Sequence, residues 1–308
     1  MWFTPEVPLK DTSKEGDSSS TLDDVRAAQL VQAHSQAVPF LPPLHFRDQS
    51  TDALVINELL DLKKGSVYTS RPGFSLAGHE CVLDVGAHIG VFSRIAIEEG
   101  CQRIIAYEPE PSNFDLLKQN MEIISLPTQT FSKQPVIELH ESAVIHGNTG
   151  LQTLVEARNE NDGKHNTWRH SLEKYSQYVD RNSVLPSNSQ KKTLRRFTVQ
   201  CVPFFGLSGA LMPGVTFVKL DCEGAEMDIL LSNEASLQSS WKNCSHLVVE
   251  WSFTKERRVQ IFHEAVKNLR NAGFEVYYQG IGSWWDTGDG IMWPYPYDQI
   301  IFANQITR

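Results

Sequence analysis

The stretch that decides the fold is CVLDVGAHIGVFSRIAIEEGCQRIIAYEPE, residues 81–110. It begins with a short apolar run rich in branched side chains, residues 82–85, which is typical of a buried strand that enters a turn. Apolar residues at helical spacing follow over residues 92–99, and Gly100 supplies the left-handed position that often ends a helix. A second branched run, residues 104–107, predicts a second strand. The stretch therefore predicts strand, glycine turn, helix and strand, the repeating unit of an α/β sheet.

The acids and glycines of this unit indicate a nucleoside-type cofactor. Asp84 and Glu108 stand near the ends of the two predicted strands, and Gly86 and Gly90 frame the turn. Glycines let backbone N–H groups approach a ligand closely, and an acid after the second strand can accept both hydroxyls of a ribose. The turn has the spacing G-x-x-x-G and lacks the G-x-G-x-x-G that holds a pyrophosphate. S-adenosylmethionine, which has no phosphate, therefore fits better than a dinucleotide, although any doubly wound protein can carry glycines after its first strand.

Three blocks of the chain together resemble one known family. They are VLDVGAHIG at residues 82–90, AYEPEPSNFDLLKQN at residues 106–120 and FVKLDCEGAE at residues 217–226. In type and spacing they resemble the FkbM family of S-adenosylmethionine-dependent methyltransferases, and the last block is the most specific. Two positions depart from the family pattern: His88 stands where Asn is usual, and Cys222 where an aliphatic residue is usual.

The resemblance implies a fold and a cofactor site. The fold is α/β: a Rossmann-like class I methyltransferase with a doubly wound, mostly parallel sheet in the order 3-2-1-4-5-7-6. The cofactor lies at the carboxyl ends of the central strands, and the loop after the third strand, predicted at residues 136–140, lies near the adenine. The residues that we expect to bind S-adenosylmethionine are Asp84, Gly86, His88, Gly90, Glu108, Ser142, Ala143 and Asp221.

Methyl transfer to an alcohol requires a positioned acceptor and a group that helps to remove its proton. Asp221, at the tip of the fourth strand, is the predicted base or orienting group, and Glu223 assists it. His88 is a second catalytic candidate, although its place in the turn favours a role in holding the cofactor. Glu226 and Glu250 are nearby acids that also have ordinary interpretations, as a favourable charge in a first helical turn and as a solvated strand end.

Parts of the same sequence pattern are compatible with other functions. Asp84, Asp221 and Glu223 could hold a hard cation in a metal-assisted O-methyltransferase, but these acids have roles without a metal, so no metal is predicted. A non-catalytic, cofactor-binding scaffold is the alternative from a different class. Methylation of nucleic-acid bases is disfavoured because the chain has neither an Asn-Pro-Pro-Tyr-like nor a Pro-Cys motif.

Composition narrows the partners and the compartment. The net charge of -9 over 308 residues disfavours binding to a phosphate backbone, so we expect a small-molecule or glycan-type acceptor and no nucleic-acid partner. The five cysteines form no C-x-x-C pair and are typical of a reducing compartment. No apolar run approaches the ~18 residues of a membrane span, and the N-terminus lacks the pattern of a secretory signal, which together predict a cytoplasmic protein. The oligomeric state is not predicted.

The sequence predicts two parts of the chain that meet at residue 50. Residues 1–50 are predicted as a polar extension, disordered over residues 1–20, with a helix over residues 21–37 whose apolar stripe is Leu22, Val25 and Leu30. Residues 51–308 are predicted as the methyltransferase domain, in which the polar residues 156–196, with Trp168, form a mobile insertion that covers the acceptor side. Further predicted helices cover residues 51–64, 112–121, with Ser112 as cap, and 255–271; further strands cover residues 197–202, 215–220, 246–250, 274–278 and 299–304. The aromatic connection between the last two strands, residues 282–297, indicates either a loop that packs on itself or a wall of the acceptor pocket, and we favour the wall.

Overall fold

The chain folds around a seven-stranded sheet. The computed structural model describes residues 18–37, 42–60, 66–122, 134–147, 149–156, 167, 170–175, 195–206, 215–232, 241, 244–252, 259–286 and 292–306. Numbered in chain order, the strands of this sheet are β1 (Cys81–Val85), β2 (Arg103–Tyr107), β3 (Val136–His140), β8 (Val215–Leu220), β9 (His246–Ser252), β10 (Phe274–Asp286) and β11 (Met292–Gln305). They lie in the order β3-β2-β1-β8-β9-β11-β10, and β11 is antiparallel to both neighbours. This is the order 3-2-1-4-5-7-6, so the predicted fold class is confirmed.

The register of the central strands brings their ends to one edge. Val85 pairs with Tyr107 of β2 on one side and with Leu220 of β8 on the other, and all three strands run parallel. The residues that follow each strand therefore meet at the same edge of the sheet, as expected for a doubly wound fold.

Helices cover both faces of the sheet. Those in the described residues are α1 (Ser18–Ala37), α2 (Asp52–Leu59), α3 (Val91–Glu98), α4 (Pro111–Asn120), α5 (Ala225–Leu231) and α6 (Val259–Asn271). Val82 of β1 packs in the apolar core beneath α1 to α4, whereas Leu83 packs in the core beneath α5 and α6. Alternation along a strand thus supplies both cores. None of the described helices combines the length and the apolar composition needed to cross a membrane.

A second, smaller sheet follows β3 and was not predicted as a sheet. Its strands are β4 (Ala143–Ile145), β5 (Gly150–Glu156), β6 (His170–Leu172) and β7 (Arg196–Pro203), in the order β4-β7-β5-β6. A one-turn 3₁₀ helix, Phe204–Gly206, follows β7. Strand β6 lies within the predicted insertion, so part of that segment is a paired strand; residues 157–166, 168–169 and 176–194, including Trp168, lie outside the described residues.

The predicted stripe of α1 is wrong in part. Leu22 is 67% exposed and Val25 is 55% exposed, whereas Ala27 and Val31 are buried and Leu30 packs against them. The helix is held along the face that carries the small Ala27, which allows close approach to its neighbour α2. Only the C-terminal part of the predicted stripe, at Leu30, therefore meets the core.

The start of α4 also differs from the prediction. Glu110 is the N-cap, because its Oε2 accepts the backbone N–H of Asn113 at 2.6 Å. Pro111 occupies the first helical position, where its missing N–H costs nothing, and this places Ser112 inside the helix. The Ser112 hydroxyl instead donates to Glu110 Oε2 at 2.6 Å.

The last two strands are longer than predicted. β10 continues to Asp286 and β11 begins at Met292, so most of the aromatic connection belongs to one antiparallel hairpin. The side chains of residues 281–298 lie outside the described part of the structure, as do residues 1–17 and 61–65. The proposed acceptor wall stays a prediction.

Candidate active site

A cleft of about 1000 Å³, open to solvent, lies at the carboxyl ends of β1, β2, β8 and β9. Most of the predicted site residues line it: Gly86, His88, Glu108, Ser142, Ala143, Asp221 and Glu223. Asp84 and Gly90 do not. Polar residues that the sequence did not single out for the site also line it: Glu58, Tyr68, Asn113, His170 and Lys219.

Gly90 has a packing role that explains its position. Its φ is +89°, and a Cβ on it would come within 2.7 Å of Leu117 Cδ1. Gly90 is the N-cap of α3, and its missing side chain lets that helix start against α4. The second glycine of the G-x-x-x-G turn thus sets helix packing and does not itself line the cleft.

Glu108 is fixed by the backbone around it. Its Oε2 accepts the N–H of His88 at 2.8 Å, and its Oε1 accepts the N–H of Glu110 at 2.9 Å. Burial raises the pKa of this carboxyl, although the charge of His88 and both backbone donors oppose the change. Each carboxylate oxygen has two lone pairs, so Glu108 retains acceptor capacity toward the cleft.

Lys219 joins the ends of β1 and β8. Its ammonium donates to Asp84 Oδ1 at 3.1 Å and to the carbonyl oxygen of Gly86 at 2.8 Å, and it lies 3.5 Å from Asp221 Oδ2. Burial lowers the pKa of Lys219, but the charges of Asp84 and Asp221 outweigh burial and hold it above its usual range. Ser93 donates to the other oxygen of Asp84 at 2.7 Å. Asp84 is therefore a buried anchor for this ammonium.

This arrangement bears on the metal-assisted alternative. The cation between Asp84 and Asp221 is the Lys219 ammonium. Across the described residues, no three His, Cys, Asp or Glu side chains are grouped so that they could hold a metal ion. A charged residue inside a buried strand is the sequence signal that could have identified Lys219.

Tyr68 joins Asp221 to Glu250. Its hydroxyl oxygen lies 2.9 Å from Asp221 Oδ2 and 2.8 Å from Glu250 Oε2. The ring is buried and packs edge-on against Phe92, with centroids 5.6 Å apart. Burial, followed by the charges of Asp221 and Glu250, raises the pKa of Tyr68 well above its usual value. Glu250 is therefore part of the cleft rather than a solvated strand end, and no sequence pattern pointed to Tyr68.

His88 is held from outside the turn. Its φ is +53°, and its Nε2 lies 3.1 Å from the Thr167 hydroxyl and 3.3 Å from Asp52 Oδ1. Arg47 binds the same carboxylate through two 2.9 Å hydrogen bonds from its guanidinium. Burial raises the pKa of Asp52, but His88 and Arg47 outweigh burial and hold it far below its usual range. The Nε2 edge of His88 thus faces the N-terminal segment and the insertion.

The insertion contributes two polar residues near the cleft, of which only His170 lines it. Thr167 is buried, and its hydroxyl donates to Asp52 Oδ1 at 2.5 Å while its carbonyl accepts from Asn113 at 2.8 Å. His170 lines the cleft, and burial lowers its pKa to about 4, so it is neutral near pH 7. The Nδ1 atoms of His88 and His170 are buried without a hydrogen-bond partner among the described residues.

The two remaining acids after β8, Glu226 and Glu223, have different positions: Glu226 is buried and Glu223 lines the cleft. Glu226 is buried, and its Oε2 accepts the N–H of Gly224 at 2.9 Å, so it stabilises the start of α5. Cys222 donates to the same oxygen at 3.3 Å. Glu223 lines the cleft with a φ of +49°, a left-handed conformation that is uncommon for a side chain other than Gly.

The strand order and a cleft at the carboxyl ends define a class I methyltransferase. The model of the methyltransferase FkbM domain matches residues 84–276, more than half of the chain. The chain therefore belongs to the FkbM family of methyltransferases, enzymes that use S-adenosylmethionine as methyl donor. No curated protein matches its sequence.

Solved structures show distant likeness. The chain is similar to precorrin-6y C5,15-methyltransferase from Geobacter metallireducens, with 12% identity, coverage of 75% of this chain and 82% of that chain, and a TM-score of 0.33. M. jannaschii TYW2, solved with AdoMet, has 11% identity, coverage of 75% and 71%, and a TM-score of 0.34. Aeropyrum pernix fibrillarin, solved with natively bound S-adenosyl-L-methionine, has 12% identity, coverage of 76% and 70%, and a TM-score of 0.34. This likeness carries no information about the acceptor.

Proposed function

We propose that this methyltransferase transfers a methyl group to a hydroxyl of a small-molecule or glycan-type acceptor. The observation that carries the proposal is the orientation of Asp221, which lines the cleft. Both of its side-chain contacts with described residues, to Tyr68 and Lys219, use Oδ2. Its Oδ1 therefore has room for a proton from an acceptor.

The residues at the cleft fit the methyl donor. Glu108 would accept the ribose hydroxyls, and Ser142 and Ala143 would lie beside the adenine, with Gly86 and His88 at the amino-acid end. The unpartnered Nδ1 atoms of His88 and His170 support this placement, because a buried polar atom without a partner is costly and a ligand could supply one. When bound, S-adenosylmethionine supplies an electrophilic methyl group on a sulfonium.

The chain's own contribution to the reaction is positioning and removal of one proton. The acceptor oxygen forms the new bond to the methyl carbon, the carbon–sulfur bond breaks, and its electron pair remains on sulfur. The hydroxyl proton passes to Asp221 Oδ1. Glu223, on the same loop and also lining the cleft, would bind the acceptor beside it.

The insertion and the compartment complete the proposal. Thr167 and His170 support a role for residues 156–196 as a cover over the acceptor side, since Thr167 contacts His88 and His170 lines the cleft. The five cysteines are unpaired, and four of them are buried, which supports a cytoplasmic location.

Calorimetry tests the donor site, and a labelling screen tests the transfer. S-adenosylmethionine and S-adenosylhomocysteine should both bind with heat, and at 100 times the dissociation constant either should stabilise the fold by about 2.7 kcal/mol. If neither compound binds and a nicotinamide dinucleotide binds instead, the donor site is rejected. Cell extracts supplied with S-adenosylmethionine labelled on its methyl group should then give a labelled ether, whereas a labelled amine or nucleic acid would reject the hydroxyl acceptor.

A further inference from the structure

The Tyr68 hydroxyl lies between two acidic side chains, and the number of protons shared by these three groups can be inferred from their hydrogen bonds. It is within 2.9 Å of Asp221 Oδ2 and 2.8 Å of Glu250 Oε2. Both distances are those of hydrogen bonds between oxygens. A phenol carries one proton and can donate only one such bond. For both contacts to be full hydrogen bonds, the phenol oxygen must accept the second one, and the donor must be a protonated carboxyl.

The phenol itself cannot provide the missing proton. Tyr68 is buried, and burial together with the charges of Asp221, Glu250 and Glu58 raises its pKa well above the usual value. It therefore stays neutral and keeps its single proton at any physiological pH. The second proton must reside on one of the two acids.

Lys219 distinguishes the two acids. Its ammonium lies 3.5 Å from Asp221 Oδ2 and favours negative charge there. The charge of Asp221 also acts on Lys219 more strongly than that of Glu250 does. Glu58, on α2, adds further negative charge around the phenol, which favours neutralisation of the acid that is farther from the ammonium.

We propose that Glu250 carries a proton in the resting enzyme, donates it in a hydrogen bond to the Tyr68 oxygen, and through the Tyr68 hydroxyl orients an ionised Asp221. Tyr68 and Glu250 are then positioning residues: they hold Asp221 Oδ2 so that Oδ1 faces the acceptor. The place of the proton rests on these distances and on the charges around them, and it does not depend on the function proposed above. Its use in methyl transfer rests on the function proposed above.

Infrared difference spectroscopy tests the place of the proton without an acceptor. At neutral pH, the spectrum of the wild type minus Glu250→Gln should contain the carbonyl stretching band of a carboxylic acid. Glu138→Gln is the matched control, because Glu138 lies on β3 outside the cleft lining and pairs with Arg103. Its difference spectrum should contain only bands of an ionised carboxylate.

A second variant keeps the test independent of the folding of Glu250→Gln. Tyr68→Phe retains the ring that packs on Phe92 and removes the hydroxyl. Because Glu250 then loses its acceptor, its carbonyl band should shift or disappear. The proposal would be overturned if the Glu250→Gln difference spectrum contained only bands of an ionised carboxylate. It would also be overturned if the carboxylic-acid band kept its position in Tyr68→Phe.

Turnover on an acceptor found by the labelling screen tests the positioning role. Glu250→Gln can still donate to the Tyr68 oxygen, so it should be at least about tenfold faster than Glu250→Leu, with equal donor affinity in both. Equal turnover of the two variants would remove the positioning role. An acid band without any methyl transfer by the wild type would instead reject the proposed function and leave the proton on Glu250.

Discussion

The backbone at Gly86 lies directly against the carbonyl oxygen of Asp221, so that a Cβ on Gly86 would overlap this oxygen. The contact joins the ends of β1 and β8, and the Lys219 ammonium closes it by bonding to the Gly86 carbonyl at 2.8 Å. The position of Asp221 therefore depends on the absence of a side chain at residue 86.

We expect Gly86→Ala to destabilise the fold by about 3 kcal/mol, since it adds both a clash with backbone and a side chain at positive φ. Urea unfolding measures the change. Gly78→Ala is the matched control, because Gly78 has a similar φ of +85° and nothing within 4 Å of an added Cβ. Equal losses in the two variants would show that φ alone matters.

Glu108→Gln should weaken S-adenosylmethionine binding roughly tenfold or more, because a hydroxyl-to-carboxylate hydrogen bond becomes a hydrogen bond to a neutral amide. Gln is the better test than Ala: the two Glu108 oxygens also accept the N–H groups of His88 and Glu110, and Gln keeps the shape of the side chain and one of these acceptors, whereas Ala removes both. Calorimetry gives the dissociation constant. Glu138→Gln should bind as the wild type does, and the same loss there would contradict a role for Glu108 in the donor site.

Asp221→Asn should lower turnover about 10²-fold or more and leave the dissociation constant of S-adenosylmethionine nearly unchanged. The amide keeps the size of the side chain but cannot take the acceptor proton. Single-turnover kinetics with the labelled donor separate the two quantities. Full turnover in this variant would show that Asp221 is not the base and that another residue removes the acceptor proton.

The stability of the fold should fall as the solution is acidified from about pH 6.5 toward pH 4. His79 and His246 pack edge to face at 4.8 Å, and His79 Nδ1 contacts the Thr216 hydroxyl at 2.9 Å. Burial, followed by the neighbouring His246, lowers the pKa of His79 from 6.5 to about 4. The unfolded chain therefore binds this proton first, so the stabilisation is complete above pH 6.5 and is lost as the pH falls toward 4.

Urea unfolding at several pH values measures this dependence. One such histidine can contribute at most about 1.4 kcal/mol per pH unit, and less where solvent screens it. His79→Phe should flatten the slope between these pH values, whereas His263→Gln, at an exposed position of α6, should not. An unchanged slope in His79→Phe would contradict this source of the pH dependence.

The sequence predicted the central sheet well because its strands are local and strongly patterned. The branched runs at residues 82–85 and 104–107, with the glycine turn between them, predict both strands and the crossover that joins them. The block at residues 217–226 likewise predicted where Asp221 lies, since the ends of parallel strands must meet at one edge. Asp221 and Glu108 do line the same cleft.

The rest of the site could not be predicted because it is assembled from distant segments. Tyr68 lies between α2 and β1 in a stretch without periodicity, and its contacts to Asp221 and Glu250 span more than 150 residues. The same holds for Asp52, which meets His88 and Thr167 only in the folded chain. A pattern of spacing cannot reveal a contact that depends on how loops pack.

The pairing of Arg47 with Asp52 has a practical consequence for dividing the gene. The boundary at residue 50 falls between these two residues, which share three hydrogen bonds of 2.9 Å, two from the Arg47 guanidinium and one from its backbone N–H. A fragment that begins at residue 51 would keep the fully buried carboxylate of Asp52, which contacts His88, and would lose the guanidinium that neutralises it. Fragments for expression should therefore begin upstream of residue 42, so that they include the segment that carries Arg47.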